Sequence, residues 1–290
     1  SLFKNRSQNP AGAHGHRIVH ILLFKSHLEY LRFCLGKRFV KVAHYFLFVL
    51  LIYILIEWQH ENNLYRNIGH AARIHAANTD DTSVVKEAMT SINDIMQSRH
   101  DLFQDQETHS WKQAVFQSAD IDLMYGSGAC GGYSKVLART LQLQGYDVRI
   151  GQLKTKDTGY GGHIIIELYS ETLNKWVFVD PLFKLIIRQK NGDWASVKEV
   201  AKHYELYRSQ FPAEFNERFK FDDVRYTNWD KFGGIAKPYY ALAKLFKGER
   251  YADTICLRMY DLSTFPVLFW SIEIGYLVLM GVGFWRYRRK

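Results

Sequence analysis

Two apolar runs of roughly 20 residues bracket this chain, and each has the length a helix needs to cross a hydrocarbon layer of ~30 Å. The first covers residues 39–58, with the unbroken core LFVLLIYILI from Leu47 to Ile56. The second covers 265–285 and reads FPVLFWSIEIGYLVLMGVGFW, followed by RYRRK. Lipid offers no hydrogen bonds to a bare backbone, so two such runs predict two transmembrane helices. The competing reading is a pair of buried core helices. It has more force for the first run, where Lys41 and His44 intrude near one end, than for the second, which Trp residues and basic residues bound.

Charge then sets the expected topology. Lys37, Arg38 and Lys41 flank the outer end of the first run, and Arg286, Arg288, Arg289 and Lys290 follow the second. The inner flanks are mixed, with Glu57, Glu61 and Arg66 on one side and Arg258 and Asp261 on the other. Positive flanks stay cytoplasmic, so both termini are expected in the cytoplasm and the middle of the chain outside it. In a Gram-negative cell this is an inner-membrane protein with a periplasmic domain. Much of the net charge of +9 lies beside the apolar runs, which points to a membrane and not to nucleic acid as the partner. No small-x-small cleavage site follows the first run, so it reads as a retained anchor.

The expected organisation is a cytoplasmic tail with an amphipathic interfacial helix over 1–38, a first span over 39–58, and an extracytoplasmic domain with a helical extension over 59–262. A second span over 265–285 and a basic tail over 286–290 complete it. In the tail, Ile18, Ile21, Leu22, Leu28, Leu31 and Leu35 recur among basic residues, the pattern of a helix lying on a membrane surface or on a partner protein. Residues 60–75 read as a connecting helix or loop. After NTDDTS, a helix start signal, Val84, Val85, Ala88, Met89, Ile92, Ile95 and Met96 follow at helical spacing.

Beyond residue 128 the period changes. Residues 130–144 read as a helix stopped by Gly145. Strands are expected over 147–153, 163–169 and 175–180, the last two joined by SETLN and therefore antiparallel. An apolar run from Phe183 to Gln189 ends in Asn191-Gly192, a hairpin signal. From Ser196 the pattern is helical again, with one helix expected through Tyr207 and a last one over 239–247.

This layout places Cys130 at a helix start, His163 at a strand start and Asp180 at the end of the next strand. A helix N-terminus lowers a thiol pKa, because free N–H groups and the macrodipole favour the thiolate. Gly126, Ser127, Gly128 and Ala129 precede the cysteine and let a substrate approach the backbone, where the Cys130 N–H can help hold an oxyanion. His163 would exchange a proton with the thiol and the leaving group, and Asp180 would fix the imidazole tautomer. Each residue also has a bland role: a small core residue, a strand-supporting histidine, a strand-ending aspartate. A disulfide from Cys130 to Cys256 would silence the nucleophile.

Residues 126–181 resemble the transglutaminase-like superfamily. The likeness rests on Gly128-Ala129-Cys130, Ala138, Gly145, Arg149, His163, Glu167, Trp176 and Asp180-Pro181. It implies a papain-like core, a helix packed on an antiparallel sheet, with a triad of Cys130, His163 and Asp180. The expected fold class is thus α+β, with this core between two transmembrane helices. The sequence departs from the family where Ile164-Ile165, and not Ala-Trp, follow the histidine. The side chain completing an oxyanion hole is unassigned, with Trp111, Gln113 and Gln117 as candidates.

Other constellations are weaker. Glu273 lies near the middle of the second apolar run, where an ionisable group needs a partner. The expectation is a basic residue of another membrane subunit or of the first run, with local hydrogen bonding of a neutral carboxyl as the alternative. His14, His16 and His20 lie on the tail without a closing ligand set, and no Walker, dinucleotide or HExxH motif occurs. No cofactor and no metal are therefore expected. The resulting expectation is a membrane-anchored cysteine acyl-transfer enzyme acting on a protein or peptide amide through a thioester, by hydrolysis or transamidation. The rivals are a non-catalytic scaffold or assembly subunit of a membrane complex, and an acyltransferase serving cell-envelope polymers.

Overall fold

The computed structural model describes residues 38–78, 80–103, 119–126, 129–156, 162–226, 236–255 and 262–288. The expected interfacial helix, the histidines of the tail, Cys34, Cys256, Gly128 and the candidates Trp111, Gln113 and Gln117 lie outside them, as does the end of the basic tail. The chain divides into two units. One is residues 60–267, and the other holds the described parts of 3–59 and 268–290.

Two helices supply the second of these units. Helix α1 runs Arg38–His75, 38 residues or about 57 Å. It does not stop at the end of its apolar run: the polar stretch after Gln59 hides a stripe of Tyr65, Ile68 and Ala72 that packs into the core of residues 60–267. Near its other end, His44 meets Tyr276 edge to face at 5.1 Å, and Trp58 lies 6.3 Å from Phe269. Glu273 is only 8% exposed, one turn from Tyr276 on the same helix. Its side chain is therefore buried by this chain's own residues, while Val42, Phe46, Val49, Val278 and Leu279 on the two helices are exposed. Among the described residues one helix, Val42–His75, is long and apolar enough to cross a membrane, and Phe265–Gly281 is a shorter apolar stretch.

Residues 60–267 form an α+β unit built on a five-stranded antiparallel sheet. Helix α2 (Asp81–Phe103) starts where Asp80 accepts the Ser83 N–H at 3.0 Å and the Ser83 hydroxyl at 2.9 Å. Its stripe of Val85, Ala88, Met89, Ile92 and Met96 is buried. Helix α3 (Ala119–Tyr125) and helix α4 (Ala129–Leu143) follow. Strands β1 (Val148–Thr155), β2 (His163–Ser170) and β3 (Lys175–Asp180) fall where alternation predicted them. The run after Phe183 yields only a two-residue strand β4 (Leu185–Ile186), and Asn191-Gly192 turns the chain back so that Arg188 bridges Trp194.

Helices α5 (Val197–Lys202) and α6 (Tyr204–Tyr207), a 3-10 turn (Arg208–Gln210) and α7 (Ala213–Arg218) come next. The single helix expected from Ser196 breaks at His203, whose φ of −131° and ψ of 42° leave the helical region. Its start holds a full capping box, in which Ser196 and Glu199 exchange hydrogen bonds. Strand β5 (Phe219–Tyr226) was not foreseen, and it pairs with β1 through a bulge between Gln152 and Lys154. Helices α8 (Ala236–Lys247), α9 (Glu249–Thr254) and α10 (Phe265–Arg288) close the described chain.

The sheet order is β4-β3-β2-β1-β5, and both faces are covered. Val148, Ile150, Ile166, Leu168, Val177 and Val179 face α2 and α4. Leu153, Ile165 and Phe178 face the opposite way, against Val197, Val200 and the rings of Phe211, Phe215, Phe219 and Phe221. On this second face Arg149 pairs with Glu167 at 2.7 Å and Asp253 at 3.3 Å, and lies between the Trp176 and Tyr226 rings at 4.5 and 4.2 Å. Three residues of the family-like pattern thus gather in a cluster that fixes α9 to the sheet.

Candidate active site

The three predicted residues come together, each from the end of an element. Cys130 is the second residue of α4, so no carbonyl one turn back within the helix occupies its N–H. His163 is the first residue of β2 and Asp180 the last of β3. These strands pair with Ile166 opposite Val179. Continuing that register sets Asp180 opposite Ile165, and side chains two apart on a strand share a face. His163 and Asp180 are therefore diagonal neighbours, within reach of one another.

His163 Nε2 lies 2.5 Å from Asp180 Oδ2. The other carboxylate oxygen of Asp180 accepts the backbone N–H groups of Leu182 at 3.0 Å and Phe183 at 3.3 Å. The turn that supplies those groups is itself clamped, because the Asn93 side-chain amide on α2 donates to the carbonyls of Pro181 and Leu182, both at 3.0 Å. With Nε2 committed to Asp180, the ring presents Nδ1 to the thiol, and Cys130 is hydrogen-bonded to the ring. The backbone N–H of Ile164 donates to the same sulfur. Ser134, one turn along α4 and fully buried, donates its hydroxyl to the Ile164 carbonyl at 2.9 Å. One residue of β2, Ile164, is thus tied to the cysteine helix by both its N–H and its carbonyl.

Aromatic rings enclose the imidazole. Phe219 stacks on it at 4.8 Å, and Phe215 and Phe183 meet it edge-on at 5.3 and 5.4 Å. His163 is 1% exposed and Asp180 is fully buried, while Cys130 keeps partial access. Burial by itself disfavours the imidazolium, yet the hydrogen bonds and charges of Asp180 and Cys130 outweigh it and raise the His163 pKa to about 9. Burial likewise pushes the Cys130 thiol up, but the His163 hydrogen bond, the Ile164 N–H and the imidazolium charge bring it below its ordinary value. The two shifts agree in direction and describe one coupled pair, in which each group favours the charged form of the other. Cys130 is a free thiol.

The backbone before two of these residues is unusual. Ala129 has φ +42°, a left-handed conformation that costs a residue bearing a Cβ. Gly126 has φ +62°, and a Cβ there would lie 2.4 Å from the His100 nitrogen. Gly162 has φ +154°, and a Cβ there would lie 2.1 Å from the Leu153 carbonyl oxygen. Only glycine fits the close approach that starts β2 and thereby aims His163.

Comparison with known proteins returns no matching family model, no matching curated protein and no matching solved structure. Sequence reasoning missed Asn93, Ser134 and the rings of Phe183, Phe215 and Phe219. Ser134 carried a faint signal, since it lies one helical turn after Cys130. Asn93 carried none, being a polar position beside an apolar stripe.

Proposed function

We propose that this chain is a membrane-anchored cysteine acyl-transfer enzyme with a transglutaminase-like, papain-type core. One observation carries the proposal: a thiol of lowered pKa at a helix start shares a hydrogen bond with an imidazole whose far nitrogen is held by a buried carboxylate. Structural cysteines buried in apolar surroundings shift the other way.

The steps follow from these groups. The Cys130 thiolate attacks the carbonyl carbon of a protein or peptide amide, and its electron pair forms the S–C bond while the carbonyl π pair moves to oxygen. The Cys130 N–H, unclaimed within its helix, is the donor assigned to that oxyanion. As the C–N bond breaks, the imidazolium gives its Nδ1 proton to the leaving amine, and a thioester remains. Water then attacks, His163 takes its proton, and collapse releases the carboxylic acid and restores the thiolate–imidazolium pair. An amine in place of water gives transamidation. Asp180 keeps its charge throughout and holds the ring by Nε2.

The anchor is read from α1 and α10. Their outward faces carry large apolar side chains along their length, which water does not tolerate as a continuous surface. Both helices are proposed as spans, with the termini cytoplasmic, the domain extracytoplasmic, and a bacterial inner membrane as the setting. On this reading His44 of the first span, which meets Tyr276 one turn from Glu273, is the candidate partner for that carboxyl.

The test is labelling of the full chain with an iodoacetamide-alkyne at pH 6.5, with Cys34 and Cys256 replaced by Ser. Rapid labelling that Cys130→Ala abolishes is expected, together with an acyl mass adduct on Cys130 after incubation with membrane extract. A Cys130 that reacts no faster than a free peptide cysteine would leave the non-catalytic scaffold as the correct reading.

A further inference from the structure

Helix α8 turns the wrong way for a water-soluble surface. It meets the domain through Tyr240, whose hydroxyl donates to Asp253 at 3.0 Å, and Ala243 on the same side is half-buried. Its outward arc is Tyr239, Leu242, Leu245 and Phe246, spaced i, i+3, i+6 and i+7, and the last two are each 76% exposed. Lys237 and Lys247 stand exposed at its two ends, and Lys244 is shared with Glu249 at 3.0 Å. The apolar side is thus the outer one, with cationic stems beside it.

We infer that α8 is a membrane-surface helix that lays this arc into an anionic lipid leaflet. The inference rests on the proposed membrane reading of α1 and α10. Three observations favour lipid over a protein partner. The arc offers roughly 400 Å² of apolar side chain, well under the ~800 Å² per partner that a stable complex buries. An apolar arc with lysines that can snorkel to headgroups is the pattern of an interfacial helix. Only 17 residues, 248–264, lie between Lys247 and Phe265, the first residue of the apolar helix α10, so α8 directly precedes a proposed span in the chain. The consequence for function is positional. Asp253 links Tyr240 of α8 to Arg149 of β1, so seating α8 on the bilayer would hold the sheet that carries His163 near the membrane surface. The enzyme would then favour amides presented close to the lipid.

The experiment uses the full chain with Cys34→Ser, Cys130→Ala and Cys256→Ser. An NBD fluorophore is placed at Phe246→Cys or, as a control on α10, at Val278→Cys, in phosphatidylcholine vesicles containing about a quarter phosphatidylglycerol. Both positions are exposed, so neither label disturbs packing. The expected result is blue-shifted emission at both positions, quenched by doxyl-labelled lipid and indifferent to aqueous iodide. Iodide quenching at 246 with lipid quenching at 278 overturns the inference and leaves the spans standing. Iodide quenching at both overturns the membrane reading itself. Shielding of 246 from both quenchers means a protein covers the arc, which also overturns the inference. Reversing Lys237, Lys244 and Lys247 to Glu should abolish lipid quenching at 246, and its persistence would refute the part given to anionic headgroups.

Discussion

Replacing Asp180 by Asn removes one charge from the site and leaves the volume nearly unchanged. The His163 pKa, ordinarily 6.5, stands at about 9, a preference for the imidazolium of about 3 kcal/mol. Burial opposes that preference, so Asp180 and Cys130 together contribute more than this net figure. If the carboxylate supplies half of the net, its loss weakens the imidazolium by about 1.5 kcal/mol, or about tenfold. Proton sharing between ring and sulfur then shifts toward the sulfur. The assay is the rate of Cys130 alkylation by iodoacetamide against pH. In the wild type the rate should rise at a pH below the ordinary thiol value, because the thiolate forms while His163 is still protonated. In Asp180→Asn the rate at pH 6.5 should fall at least about tenfold, and the two proteins should converge above about pH 9.5, where any thiol ionises. Turnover should behave differently from alkylation, since it also needs the imidazolium proton for the leaving amine. It should decline as pH passes through about 9, while alkylation does not. Asn has a single oxygen, which cannot both hold the Leu182 and Phe183 N–H groups and accept from His163, so a stability loss of about 1–3 kcal/mol is also expected, and rates are compared on protein that retains its thermal transition. Equal alkylation rates at pH 6.5 in the two folded proteins would refute the ion pair. A wild-type profile that rises only at the ordinary thiol value would do so without any variant.

Three further substitutions probe how the site is held. Ser134→Ala leaves the Ile164 carbonyl buried without its donor, so urea denaturation should register a loss of about 1–3 kcal/mol, and thiol labelling at pH 6.5 should slow. Ala129→Gly relieves the left-handed strain before the nucleophile and should raise stability by about 1 kcal/mol with alkylation preserved, because glycine adopts that φ freely. A destabilised variant would mean the Ala129 methyl packs usefully. Gly162→Ala forces a Cβ against the Leu153 carbonyl, so β2 must shift at its first residue; a cost of about 2 kcal/mol or more and a loss of fast labelling are expected by melting and labelling of the same sample.

The elements that carry the triad were legible because local signals mark their ends. Gly145 closes the cysteine helix, SETLN joins two alternating runs, and Asp180-Pro181 ends the second of them. What escaped was held together by contacts without periodicity. Asn93 reaches carbonyls 88 and 89 residues away, and Ser134 reaches one 30 residues away. Strand β5 alternates cleanly only over Phe219 to Asp222, directly after a segment where Phe211 and Phe215 are spaced as in a helix, and its partner Lys154 is 66 residues distant (220 − 154 = 66). The polar segment after Gln59 concealed a three-residue apolar stripe that only the folded core makes visible. The site tolerates little error in what was legible. A one-residue slip between β2 and β3 would send Asp180 to the face opposite His163, ending the Nε2 contact and with it the raised imidazole pKa. Both faces of the sheet are buried against different partners, so such a slip would also expose Ile166 or Ile165 to the wrong layer. The hydrophobic cores therefore enforce the register that joins His163 to Asp180, and that pairing is a consequence of which isoleucines face which layer.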